Sequence, residues 1–188
     1  MASLNILATA ARPPLLADIP LLWLQHLPKA RDHASAHSLL RGILAHYLAC
    51  PPAAVPLRHT PDGAPEITGH PLAVSLAYAD EMLLLGVCQG ARIGVDLLRI
   101  QPMPDWREVA TLFLGPQICA ELATHPAPQR DAAFARHWVE LEARGKCLGL
   151  GLQEYTPGRA TRLNDKIILS SNLDCGRSDL CAAVAIRR

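Results

Sequence analysis

Asp96, Glu142 and Lys146 are the residues of this chain whose types and spacing could do chemistry together. Asp96 lies in the run Arg92-Ile93-Gly94-Val95-Asp96-Leu97-Leu98-Arg99-Ile100, a carboxylate inside an apolar strand pattern. Aspartate is disfavoured in strands, and its charge is costly to bury without a cation or hydrogen-bond donors. A strand-end cap, a buried pair with an arginine such as Arg92, or a divalent ion would each answer for it. Trp138, Glu142 and Lys146 occur at successive intervals of four in WVELEARGKCLGLGL, residues 138–152. On a helix that spacing puts all three on one face. Glu before Lys at four residues is also the preferred order for a surface pair worth a few tenths of a kcal/mol. The stretch is therefore either an ordinary helix with an ion pair and a glycine cap, or half of a catalytic site whose other half comes from elsewhere.

The elements that would position these residues follow from the pattern. Residues 131–148 read as a helix, with Asp131 to cap its start and Gly149 to close its end. An earlier helix is expected over residues 30–50, where Leu39, Leu40, Ile43, Leu44, Tyr47 and Leu48 recur at helical spacing before Pro51 and Pro52. The stretch LRHTPDGAPEITGHP is dense in turn formers and reads as a loop. LAVSLAY and MLLLGVC, separated by Ala79-Asp80-Glu81, predict two strands or a hairpin, and RIGVDLLRI a buried strand. A second helical tract opens near Asp105, prolines around 102–104 and 126–128 mark connections, and KIILSS and LCAAVAI are strand candidates. Helix then strands, twice over, predicts an α+β protein and not a doubly wound sheet.

Composition removes several function classes. At 188 residues, half of them apolar and 19% charged, the chain can bury a proper core. A net charge of +1 argues against nucleic acid held by bulk positive charge. Six cysteines without a CxxC pair fit reduced thiols. The apolar start lacks a basic region and is interrupted by prolines and Asp18, so an opening strand and loop are expected rather than a signal peptide. With no uninterrupted apolar run of about 18 residues, no membrane span is expected, and a cytoplasmic location follows as an expectation. His33 and His37, one turn apart, lack the other ligands of a zinc site and read as exposed helix histidines. Cys147 reads as an inert thiol. Gly149 and Gly151 follow a helix, so they are not a dinucleotide-binding loop.

Taken together, a strand Gly94-Val95-Asp96, then Trp138, Glu142-Ala143 and Lys146 on a helix, then Gly149-Leu150-Gly151-Leu152, resemble the 4′-phosphopantetheinyl transferase superfamily, particularly its monomeric surfactin-type branch. Upstream, Arg58, Gly63-Ala64-Pro65-Glu66 and Ser75-Leu76-Ala77 stand where that family has a basic residue, a G-K/R-P turn and a Ser-His-Ser strand, and LCAAVAI is similar to its last strand. The resemblance runs over roughly residues 35–186 and implies two similar α/β halves, 1–95 and 96–188, related by a pseudo-twofold with the active-site cleft between them. It implies transfer of 4′-phosphopantetheine from coenzyme A to a serine of an acyl or peptidyl carrier protein, by a monomer. Asp96 and Glu142 would hold Mg²⁺, Glu142 and Lys146 would serve catalysis, and Lys146, Arg58 and Ser75 would meet coenzyme A. Trp138 would anchor the helix against the sheet.

Four positions depart from the family pattern: Leu98 replaces an acid, Leu141 a lysine, Ala64 a lysine or arginine, and Leu76 a histidine. Three of these normally offer charge or donors to coenzyme A. At about 1.5–3 kcal/mol per charged hydrogen bond, their loss costs roughly 4–9 kcal/mol, on the order of a thousandfold to a millionfold in affinity. Arg58, His59, Arg92, Arg99, Arg136, His137 and Arg144 lie near the relevant segments as substitutes. The alternative function is a transferase-like protein that binds a carrier or enzyme partner without modifying it. A hydrolase using Asp96 and Glu142 on a small phosphorylated substrate is a third reading.

Overall fold

The run MLLLGVC becomes β6 (Met82–Gln89), a strand buried along almost its whole length, as a continuous apolar run requires. A computed structural model describes residues 6–8, 10–27, 33–165 and 168–188. β6 forms a hairpin with β5 (Leu72–Ala79), closed by Asp80 at φ 51° and paired from Leu72↔Gln89 to Ala79↔Met82. On its other side lies β2 (Leu21–His26), antiparallel, and the short β1 (Ile6–Leu7) runs parallel to β2. Helix α1 (His33–Leu48) covers this four-stranded sheet, ordered β1-β2-β6-β5, by packing Leu40, Ile43 and Leu44 against Trp23, Leu85 and Val87.

Downstream of α1, the segment expected to be a loop holds a small hairpin, β3 (Leu57–His59) with β4 (Pro65–Ile67). Leu57 and Ile67 are buried beneath it, so even this proline- and glycine-rich stretch has two core anchors. Its strands are three residues long, too short for a period-2 pattern to register.

The second sheet takes the order β7-β9-β8, from β7 (Arg92–Arg99), β8 (Ile168–Leu173) and β9 (Leu180–Arg187). KIILSS and LCAAVAI thus supply β8 and β9; Lys166 and Ile167 lie outside the described residues. The expected 95/96 boundary falls inside β7, whose register with β9 is unbroken from Arg92 to Arg99. Helix α4 (Ala127–Leu148) lies on this sheet through Ala135, Val139, Ala143 and Cys147. It starts earlier than expected: Pro126, not Asp131, occupies the cap, and Pro128 sits in the first turn. A proline there removes only an N–H that has no intrahelical acceptor. Gly149 closes the helix at φ 68°, as the sequence predicts.

The tract from Asp105 is α2 (Trp106–Val109), a π-turn over Ala110–Leu114, and α3 (Pro116–Ala123); α5 (Pro157–Leu163) follows α4. One apolar cluster joins the two sheets, drawing Leu22 and Leu84 from the first and Val95, Leu97, Ala182 and Val184 from the second. The architecture is mixed α/β. Among the described residues no helix is long and apolar enough to cross a membrane.

Candidate active site

The seam between β5, β7 and α4 brings the expected residues together. Its geometry depends on Gly94. A Cβ there would lie 2.0 Å from the Ala143 carbonyl oxygen and 2.4 Å from the Cys147 nitrogen, both backbone atoms of α4. Only glycine lets helix and strand approach this closely, and the approach brings the next turn of α4 over Asp96. Ser75, on β5, ties the other side of the seam: its Oγ accepts a hydrogen bond from the Val95 N–H at 3.0 Å.

Lys146 does not pair with Glu142. Its Nζ donates to Asp96 Oδ1 at 2.8 Å, to the Val95 carbonyl at 3.1 Å and, weakly, to the Leu76 carbonyl at 3.4 Å. The ammonium has three donors, and all three are directed at protein acceptors. The buried partner of Asp96 is therefore Lys146 and not Arg92, which is exposed at the far end of β7. Asp96 is 9% exposed. Burial holds its carboxyl above the usual carboxylate range, and the charge and hydrogen bond of Lys146 and the Leu97 amide oppose that shift.

Glu142 faces the same seam in a different state. It is half-buried and forms no hydrogen bond or ion pair with a described residue. Burial raises its pKa and the Asp96 charge raises it further, while Lys146 and Arg159 pull it down. The two carboxylates repel each other, and only one of them has a cation in contact.

The remaining candidates separate. Arg58 is exposed on β3, opposite Glu66, with no side-chain contact to the Asp96 cluster among the described residues. Arg99 is taken up by Asp80 and Asp179. Arg144 is held by Glu140 at 2.6 Å, by Ser170 and by Asn164. His137 pairs with Glu121 at 3.1 Å. Trp138 packs between Phe113 and Phe134, in the helical cluster beside α2 and α3, so it anchors α4 to those helices and not to the sheet. His37 is not a free surface histidine: it stacks on His59, with the ring centroids 4.6 Å apart. The side chain of His33 lies outside the described residues. Cys147 is buried, and burial pushes its thiol up to about 11, consistent with an inert role.

One residue near the cluster belongs to neither motif. Arg159, on α5, is 8% exposed, and its charge acts on Glu142. Its only sequence signal is Thr156-Pro157, which starts the short helix: the Thr156 hydroxyl accepts from the Arg159 N–H.

Residues 92–178 match the 4′-phosphopantetheinyl transferase superfamily. That span runs from β7 to just before β9 and contains Asp96, Glu142, Lys146 and Arg159. The chain is 30% identical over 127 residues to the 4′-phosphopantetheinyl transferase HetI of Nostoc sp., covering 65% of this chain and 53% of that protein. It is 29% identical over 125 residues to slr0495 of Synechocystis sp., which is provisionally named a 4′-phosphopantetheinyl transferase, covering 63% of this chain and 51% of that one. The chain thus spans about half the length of the curated relatives it matches. These matches support the superfamily assignment made from the motifs.

The carboxylates suit a small hard cation. Magnesium commonly takes one or two carboxylates and fills its shell with water and phosphate oxygens. Asp96 and Glu142 offer two, and their mutual repulsion is the situation a divalent cation relieves. A site built from protein ligands alone is absent among the described residues, where no cluster of three or more His, Cys, Asp or Glu side chains occurs.

Proposed function

We propose that this protein transfers 4′-phosphopantetheine from coenzyme A to a serine of an acyl or peptidyl carrier protein. The observation that carries the reading is Glu142, a half-buried carboxylate left unpaired beside a buried Asp96 that Lys146 holds in place. Burial and Asp96 raise the basicity of Glu142, which suits a group that must take a proton. In the reaction the serine oxygen forms a bond to the phosphorus bearing pantetheine, and the bond to the bridging oxygen breaks. 3′,5′-ADP leaves, and the serine proton passes to Glu142 directly or through a water. Asp96 and Glu142 would hold Mg²⁺, which when bound would offset the negative charge of the pyrophosphate. Lys146, with its donors turned to Asp96 and two carbonyls, acts as a positioning residue.

The surfactin-type, two-half arrangement is part of the proposal. It is supported by the parallel between α1 on the β5–β6 hairpin and α4 on the β8–β9 hairpin. A monomer acting in the cytoplasm is the corresponding expectation.

The test is intact-mass spectrometry of several apo carrier proteins incubated with the protein, coenzyme A and Mg²⁺. One phosphopantetheine should be gained, and Glu142→Gln should lower the rate about 10²–10⁴-fold. The leucines at 76, 98 and 141 favour a second reading, a scaffold that binds a carrier without modifying it. Absence of transfer, with a known transferase modifying the same carriers, would select that reading.

A further inference from the structure

Position 141, a lysine in the family pattern that the chain resembles, is leucine here, and the structure contains a cation nearby on a different element. Leu141 lines a pocket of about 90 Å³ between α4, α5 and the π-turn, together with His137, Glu140, Arg144, Tyr155 and Arg159. That volume is several times what one water needs, so a phosphate-sized anion has room. Two of the three basic residues in its wall already have acidic partners: Arg144 has Glu140 and His137 has Glu121. Arg159 has none among the described residues. More than nine-tenths of it is buried, yet its guanidinium forms no hydrogen bond or ion pair with a described residue, and its Nε is fully shielded from solvent. A buried cation without partners is costly, and a ligand anion would repay that cost.

We propose that Arg159 binds a phosphate group in this pocket and supplies from α5 the positive charge that α4 lacks at Leu141. The Arg159 charge already acts on the Glu142 carboxylate, which itself lies outside the pocket wall. A planar guanidinium can donate two parallel hydrogen bonds to phosphate, which a lysine cannot. The identification of this phosphate as part of coenzyme A rests on the transferase reading; the anion subsite itself does not.

The two are separated by titrating the full chain with coenzyme A and, separately, with inorganic pyrophosphate at matched ionic strength, followed by calorimetry. Coenzyme A should bind wild type, and Arg159→Gln should weaken it at least tenfold. Arg159→Lys should fall in between and guards against a misfolded glutamine variant. In the Arg159→Gln background, Leu141→Lys should recover affinity, a gain that a purely structural arginine would not produce. Unchanged affinity in a folded Arg159→Gln protein overturns the proposal, as does wild type that binds neither probe. Pyrophosphate binding that depends on Arg159, without coenzyme A binding, upholds the subsite and refutes the transferase reading.

Discussion

Gly94→Ala tests whether the close approach of α4 to β7 creates the site. The new Cβ would start 2.0 Å from the Ala143 carbonyl oxygen, against an ordinary contact distance of at least 3.4 Å. Helix and strand must therefore separate by about 1.4 Å, and because the obstructing atoms are backbone, no rotamer change relieves the clash. Overpacking of this kind costs about 1–3 kcal/mol, and the rigid obstruction puts this case at the upper end. For a chain of this size, ~3 kcal/mol lowers Tm by roughly 6–12 °C. The same separation stretches the 2.8 Å contact of Lys146 with Asp96. Misplacing a site by about 1 Å costs on the order of 10²-fold in rate. Gly86→Ala is the matched control, because the nearest neighbours of its Cβ would be side-chain atoms: Ile93 Cδ1 at 2.7 Å, Val95 Cγ1 at 2.8 Å and Leu22 Cδ2 at 3.4 Å. Those tips can yield, so it should lose about 1–2 kcal/mol and retain activity. Urea denaturation and the carrier-modification assay read the two effects. If Gly94→Ala loses no more stability than Gly86→Ala, the argument for the seam is refuted.

Lys146→Met should destabilise the fold by about 2–4 kcal/mol; a fully buried pair would cost more, but about a third of the lysine side chain is exposed (33%). Adding Asp96→Leu should restore most of that loss, and a double-mutant cycle by urea denaturation that shows no coupling would contradict the pairing. Asp179, held down to about 2 by Arg177 and Arg99 from an ordinary 3.8, contributes stability above its unfolded value and loses it as pH falls through its folded one. Asp179→Asn should therefore lower Tm at neutral pH and flatten the acid limb between about pH 4 and pH 2, as thermal scans at stepped pH would show.

The strands and long helices were readable because their patterns are long. β5, β6 and β7 are each eight residues long and mostly apolar, and α4 carries its buried alanines, Val139 and Cys147 at helical spacing. Shorter or less periodic pieces escaped. The β3–β4 hairpin hides among prolines and glycines, and the first turn of α4 is concealed because Pro126 and Pro128 read as a connection. At the site, sequence spacing identified Asp96, Glu142 and Lys146 but not their pairing. The local Glu142–Lys146 geometry is open to any helix, whereas the contact that forms joins residues fifty apart, through a glycine whose value lies in what it lacks. Arg159 carries no periodic or motif signal, since it sits on a short helix beyond the Gly149–Leu152 stretch. Only its burial and its missing partner distinguish it from Arg144, which looks equally eligible in sequence.

The leucines at 76, 98 and 141 surround the site with apolar side chains. Leu141 helps wall the Arg159 pocket, Leu76 presents only its carbonyl to Lys146, and Leu98 packs at the edge of the α4–sheet core. Apolar surroundings of this kind let the remaining charges act across a lower effective dielectric. Fewer charges can then do more, provided they are not consumed by one another. Lys146 is consumed by Asp96, Arg144 by Glu140 and His137 by Glu121. Glu142 and Arg159 are close enough to shift each other's titration yet form no ion pair. A chain selected for stability alone has little reason to keep an unpaired acid and an unpaired buried base side by side. A ligand that brings its own anion for Arg159, and a cation or a proton for Glu142, gives both a partner.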